Sequence, residues 1–341
     1  MYSPIVSDRS QETSRGLLLI VVTLLGWSSV TLFLKYFTAY IDGWTANGWR
    51  YGISAIFWAP LLVVRLLGGR LPPGIWRAAI VPSLFNLAAQ VCFAWAPYYI
   101  DPGFITFLLR LQIVFVALGA YLFFPTERAV VRSWGYALGV LLVLAGLVGL
   151  CFLGVTRPRG ATAVGISLAL GSGILYAGYA LGVRHFMHEV RSTTAFAVIS
   201  LYTAAGVLLM MLLFAEDHGA NAWRLSWGRL ALLFASAMAG IAITHVTYYA
   251  AIARLGVAVS AGVIMLQPFL TSAASFYLFD ERLTHRQWLS GIVALAGAIT
   301  MLRAQRRPAV AADGGPKLRG AAGTHDAPPT TGAPTPSLRA S

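Results

Sequence analysis

Hydrophobic positions along this chain run on in blocks instead of alternating with polar ones. Apolar stretches of roughly 17–25 residues, the length that crosses a bilayer as a helix, recur between residues 16 and 303. Short segments separate them, several marked by turn residues such as Gly68-Gly69, Pro72-Pro73 and Asp101-Pro102. The pattern predicts ten spans, at 16–38, 46–67, 75–98, 103–124, 133–153, 162–183, 193–215, 227–252, 257–279 and 286–303. The first run follows Arg15 and exceeds a signal-peptide core. No small-residue cleavage site follows it closely, so a retained helix is expected after a short tail over 1–15. After Arg303 the chain turns rich in Pro, Ala, Gly and Thr, which predicts a disordered tail over 304–341.

The apolar pattern is written twice. RLQIVFVALGAYLFFPTER, followed by Trp134 and Ala145-Gly146, corresponds to MLQPFLTSAASFYLFDER, followed by Trp288 and Ala296-Gly297. Gln112 pairs with Gln267, Glu127 with Glu281 and Arg128 with Arg282. Further out, Trp27 pairs with Tyr176, Lys35 with Arg184, Phe37 with Phe186 and Tyr98-Tyr99 with Tyr248-Tyr249. The halves fall at 16–154 and 155–303, each with five expected spans. An odd number per copy forces opposite orientations in the bilayer. The expected fold is an all-α integral membrane protein of ten transmembrane helices in two inverted five-helix repeats. Small residues such as Gly139, Gly146, Gly291 and Gly297 allow close helix approach in lipid.

Composition sharpens this picture. The chain is 58% hydrophobic and 11% charged, against about 25% charged in soluble domains. The net charge of +13 is dispersed over helix ends and a tail, with no basic stripe interleaved with aromatics. That excludes a nucleic-acid partner and leaves membrane orientation as its use. With the N-terminus inside, sixteen Lys and Arg fall inside and six outside. Both termini are therefore expected in the cytoplasm of a cell-membrane protein. Cys92 and Cys151 both lie inside apolar runs and frame no disulfide scaffold.

The duplicated fourth helix bearing Gln112 or Gln267-Pro268, the Glu-Arg pair after it, the Trp-to-Gly fifth helix, Trp27-Ser28-Ser29 and Arg50 resemble the EamA branch of the drug/metabolite transporter superfamily. The resemblance covers about residues 16–303. It implies a central cavity opening alternately to each side and secondary transport, usually export, of amino acids, other metabolites or drugs. The chain departs from the pattern once. Pro268 stands at the helix-breaking position of the second repeat, but Ile113 stands in the first, leaving the fourth helix without a local cause for a kink.

Polar groups within the bilayer are costly and need a reason. Those shared by both copies read as scaffold, those in one copy as function. Lys35 and Arg184 match, and snorkelling at helix ends explains them. The matched Glu-Arg pairs read as structural, with a share in gating as the sharper alternative. Arg110, opposite Met265, lies about seven residues into the fourth helix with Thr106 one turn away. No acid in any span neutralises it, so it contacts either a substrate or protein hydrogen-bond acceptors. Arg50 sits near the outer end of the second helix, as a substrate contact or as an anchor tethered through carbonyls. Asn86 and Gln90 share a face of the third helix, suited to a cavity wall or to helix association. His245, opposite Trp95, is either a proton carrier or a neutral interhelical hydrogen-bonder. Tyr248 and Tyr249, with Tyr176 and Tyr179 on the sixth helix, line a cavity or pack. Gln267 is placed to bind carbonyls that Pro268 leaves free. With Gln112 and Pro268 it forms the expected hinge.

No Walker A motif, G-x-S-x-G or H-E-x-x-H occurs, and His185, His188 and Glu189 lack metal-site spacing. The expectation is therefore a secondary transporter, with no cofactor or metal, exporting a small anionic or zwitterionic solute. The alternatives are a membrane-embedded enzyme and a channel or scaffold.

Overall fold

Runs of apolar residues become helices because lipid offers the backbone no hydrogen-bonding partner. The computed structural model describes residues 4–123, 125, 128–152, 160–255, 260 and 263–313. Its helices are α1 (Pro4–Phe37), α2 (Gly43–Leu67), α3 (Ile75–Trp95), α4 (Pro102–Leu108), α5 (Gln112–Phe123), α6 (Arg128–Val131), α7 (Trp134–Phe152), α8 (Gly160–Phe186), α9 (Ser192–Phe214), α10 (Trp227–Ala237), α11 (Thr244–Leu255), α12 (Gln267–Phe279) and α13 (His285–Asp313). Seven stretches are long and apolar enough to cross a membrane: Gln11–Phe37, Gly43–Leu67, Ile75–Tyr98, Pro102–Phe123, Thr162–Phe186, Ser192–Phe214 and Trp227–Ile252. Trp134–Leu150 is a shorter apolar helix. These eight occupy the first eight expected spans, and α12 and α13 stand at the ninth and tenth. Glu127 and residues 257–259, 261–262 and 314–341 lie outside the described residues.

Helix extends into both expected tails. α1 begins at Pro4, and Glu12 on this extension pairs with Arg15 at 3.5 Å and with Arg254 of α11 at 3.0 Å. α13 continues to Asp313. At the other end of α1, Asp42 caps α2, accepting from the Trp44 and Thr45 amides at 2.9 and 3.0 Å. This starts α2 three residues before the expected span and sets Arg50 about 10 Å below the cap.

The fourth span is broken despite Ile113. A 3-10 turn at Leu109–Leu111 separates α4 from α5. Arg110 lies in that turn, its Nε donating to the Thr106 carbonyl at 3.2 Å. In the second half, a turn at residues 265–266 precedes α12, where Pro268 occupies the first turn. Both halves are therefore interrupted just before the matched glutamines.

Helix contacts come in counterparts with the halves exchanged. α3 packs on α8 as α1 packs on α11, and α5 packs on α8 as α12 packs on α1. The matched helices α7 and α13 pack on each other through glycine. A Cβ on Gly139 would lie 2.8 Å from the Gly297 carbonyl, and one on Gly297 would lie 2.6 Å from the Gly139 carbonyl. Gly291 plays a different part, packing against Phe107. Outward-facing Leu18, Leu25, Ile56, Leu67, Leu141 and Leu213 form an apolar exterior. Trp134 and Trp227, at helix starts, are 91% and 87% exposed, as residues of an interfacial belt are.

Candidate functional site

Arg50 is the largest side chain with almost no exposure, at 1%. Its Nε and Nη1 have no hydrogen-bond partner among the described residues. Through Nε and Nη1, the expected tether to carbonyls is not made to any described residue. Its Nη2 lies against Gly240, where an added Cβ would sit 2.9 Å away. Gly240 belongs to a π-helical turn, Met238–Ala242, between α10 and α11. Such turns interrupt helices frequently at functional sites.

Tyr51 and Tyr176 lie within electrostatic range of the Arg50 guanidinium. Asn86 joins them, its Nδ2 donating to Thr203 Oγ1 at 3.0 Å and to the Tyr51 hydroxyl at 3.4 Å. Its Oδ1 has no partner among the described residues. Gln90, one turn along α3, is buried, and its carbonyl accepts from Asn47 Nδ2 at 3.2 Å. Arg50, Asn86 and Tyr176 thus meet in one cluster. Tyr51, Asn47 and Thr203 complete it without having been singled out in the sequence. Asn47 was within reach of the rule that intramembrane polar groups need a reason.

Arg110 belongs to a second cluster. Its Nη2 donates to Gln267 Oε1 at 2.7 Å, and Gln267 Nε2 donates to the Trp27 carbonyl at 3.0 Å. Gln267 therefore bridges α1 and the fourth-span break; it does not serve carbonyls freed by Pro268. Gln112 makes the matched contact, Nε2 donating to the Tyr176 carbonyl at 3.4 Å. Since Trp27 and Tyr176 are themselves matched, one contact is built twice. The two arginine clusters communicate through α1, with Val30 against Gly240 and Trp27 against Gln267.

His245 is held locally. Its Nδ1–H donates to the Ile241 carbonyl at 3.0 Å, within the π-turn region. Its ring stacks on Phe196 at 4.6 Å and meets the edge of Trp27 at 5.6 Å. Tyr248 also packs on Trp27, at 4.9 Å. Tyr179 and Tyr249 line a cavity of about 200 Å³ with Phe196, Met187, Arg184 and His188. This cavity lies at the end of the bundle where α8 ends and α9 begins. Among the described residues, no group of three or more His, Cys, Asp or Glu is placed to hold a metal ion.

An apolar exterior, membrane-length helices, duplicated contacts and buried polar clusters beside interrupted helices mark the build of a polytopic membrane protein. The profile of the EamA-like transporter family matches residues 14–152 and 163–303. The chain therefore belongs to that family, within the drug/metabolite transporter superfamily. No curated protein matches it. A solved structure described only as "Crystal structure of protein" is similar, at 19% identity and a TM-score of 0.59. That similarity covers 86% of this chain and 99% of the other, and concerns the fold alone.

Proposed function

We propose that this protein is a secondary transporter that exports a small organic solute across the cytoplasmic membrane by alternating access. In this reading, ten helices form two inverted five-helix repeats with both termini in the cytoplasm. The odd number of spans per half, the contacts repeated with halves exchanged and the distribution of Lys and Arg support it.

The substrate carries a carboxylate or another anionic group, alone or as part of a zwitterion. One observation carries this: the Nε and Nη1 of the buried Arg50 guanidinium have no hydrogen-bond partner among the described residues. A buried charge is costly unless paired, and an anionic ligand supplies the pair. Asn86 and Gln90 hydrogen-bond the ligand, and Tyr176, Tyr179 and Tyr249 line its apolar part. Arg110 keeps a secondary role, because Gln267 and the Thr106 carbonyl already engage it. Gln112, Gln267 and Pro268 serve as hinge points beside the breaks. His245 bonds its own helix and packs between aromatics, which favours a structural histidine over a proton carrier.

The test is an untargeted comparison of extracellular solutes from cells with and without the protein at equal growth. Accumulation of at least one anionic or zwitterionic solute is expected only in cells that carry it. Indistinguishable profiles, or accumulation confined to cations, contradict the reading.

A further inference from the structure

α1 and α12 meet twice. In the interior, Gln267 and Thr271 donate to the carbonyls of Trp27 and Ser28, at 3.0 Å each. At their ends, Lys35 Nζ lies 3.2 Å from Glu281 Oε1, with side chains 26% and 13% exposed. Ser275 donates a second hydrogen bond to the Glu281 carboxylate. Beneath the pair is a crevice lined by Asp101, Gly103, Ser272, Ser275 and Glu281. There the head of α4 is pressed onto α12, so a Cβ on Gly103 would lie 3.0 Å from Ser272 Cα. α1, α4 and α12 are thus packed together at the Lys35 end, whereas the cavity of about 200 Å³ lies at the Arg184 end.

A half-buried ion pair gains little net stability over apolar packing, and its better-attested use is to specify one arrangement over another. We infer that the Lys35–Glu281 ion pair is a gate, which locks α1 to the end of α12 and must part before the central site opens at that end. The inference rests on the alternating-access reading above. Asp280 and Arg282 pair with each other at 3.2 Å, leaving Lys35 as the cation that faces Glu281 among the described residues. In the sequence repeat, Lys35 matches Arg184 and Glu281 matches Glu127. Glu127 lies outside the described residues, so Lys35 and Glu281 alone carry the assignment.

The test uses full-length protein with Cys92→Ser and Cys151→Ser, a Ser272→Cys reporter and a membrane-impermeant maleimide on the Glu281 side. Lys35→Ala and Glu281→Ala are each expected to label about tenfold faster or more, as a shift toward the open population requires. The charge-exchanged double variant Lys35→Glu with Glu281→Lys is expected to return to the parent rate. Where an alanine variant fails to reach the membrane, Lys35→Gln or Glu281→Gln takes its place with the same expected rise. Unchanged rates in both single variants, or a double variant labelling as fast as the singles, overturn the gate. The assay needs no solute, so failure of the gate and failure of transport are separate results.

Discussion

Two guanidinium groups lie within the bundle, and their surroundings set different consequences for losing them. Arg110 donates to Gln267 Oε1 and the Thr106 carbonyl. Arg110→Met strands both acceptors and is expected to cost roughly 1.5–3 kcal/mol, since charged hydrogen bonds carry that weight. A lowered Tm of the detergent-solubilised protein checks it. Arg50 donates to no described residue through Nε or Nη1. Arg50→Met removes a buried charge that the described residues leave unpaired at Nε and Nη1, so the same melt is expected to show an unchanged or raised Tm. Solute affinity is expected to fall about tenfold or more in that variant, the equivalent of ~1.4 kcal/mol. A lower Tm with unchanged affinity reverses the two roles. The importance of both arginines was legible in the sequence, because each is an ionisable group in an apolar run. Their partners were not, because Gln267 stands 157 residues from Arg110. The early start of α2 depended on the Asp42 cap, which reads in sequence as one more acid in a loop.

At the scale of elements, the 3-10 turn before Gln112 had no proline to announce it, and the contact beside it runs from an arginine side chain to a backbone carbonyl. Hydrophobic periodicity does not report such a contact. The α7–α13 seam was better announced, through glycines repeated in both halves. A Cβ on Gly146 would collide with backbone atoms of Ser290 and Ala294. Gly146→Ala is expected to destabilise by about 1–3 kcal/mol, as overpacking does, whereas Gly171→Ala, open to space inside α8, is expected to leave the Tm unchanged or raise it.

For the whole molecule, the duplicated sequence was the most legible feature, and its consequences reach individual contacts. Gln112 to Tyr176 and Gln267 to Trp27 are one hydrogen bond made twice at matched positions. The shared glutamines carry a shared contact, whereas Trp134 is exposed and its match Trp288 packs on Phe107 and Phe269. Single-copy residues proved less uniform: Arg110 is absorbed into the scaffold, and His245 bonds its own helix. Which of them faces a ligand depends on three-dimensional satisfaction of donors, a property that pairing the halves in sequence does not contain. Both the anion site and the gate require that solute be bound, occluded and released. The most direct measurement is flux of the identified solute into proteoliposomes containing the purified protein. The account predicts a rate that saturates with solute concentration, accelerates with solute on the far side and is lost in Arg50→Gln. A flux linear in concentration, or one indifferent to Arg50, would contradict it.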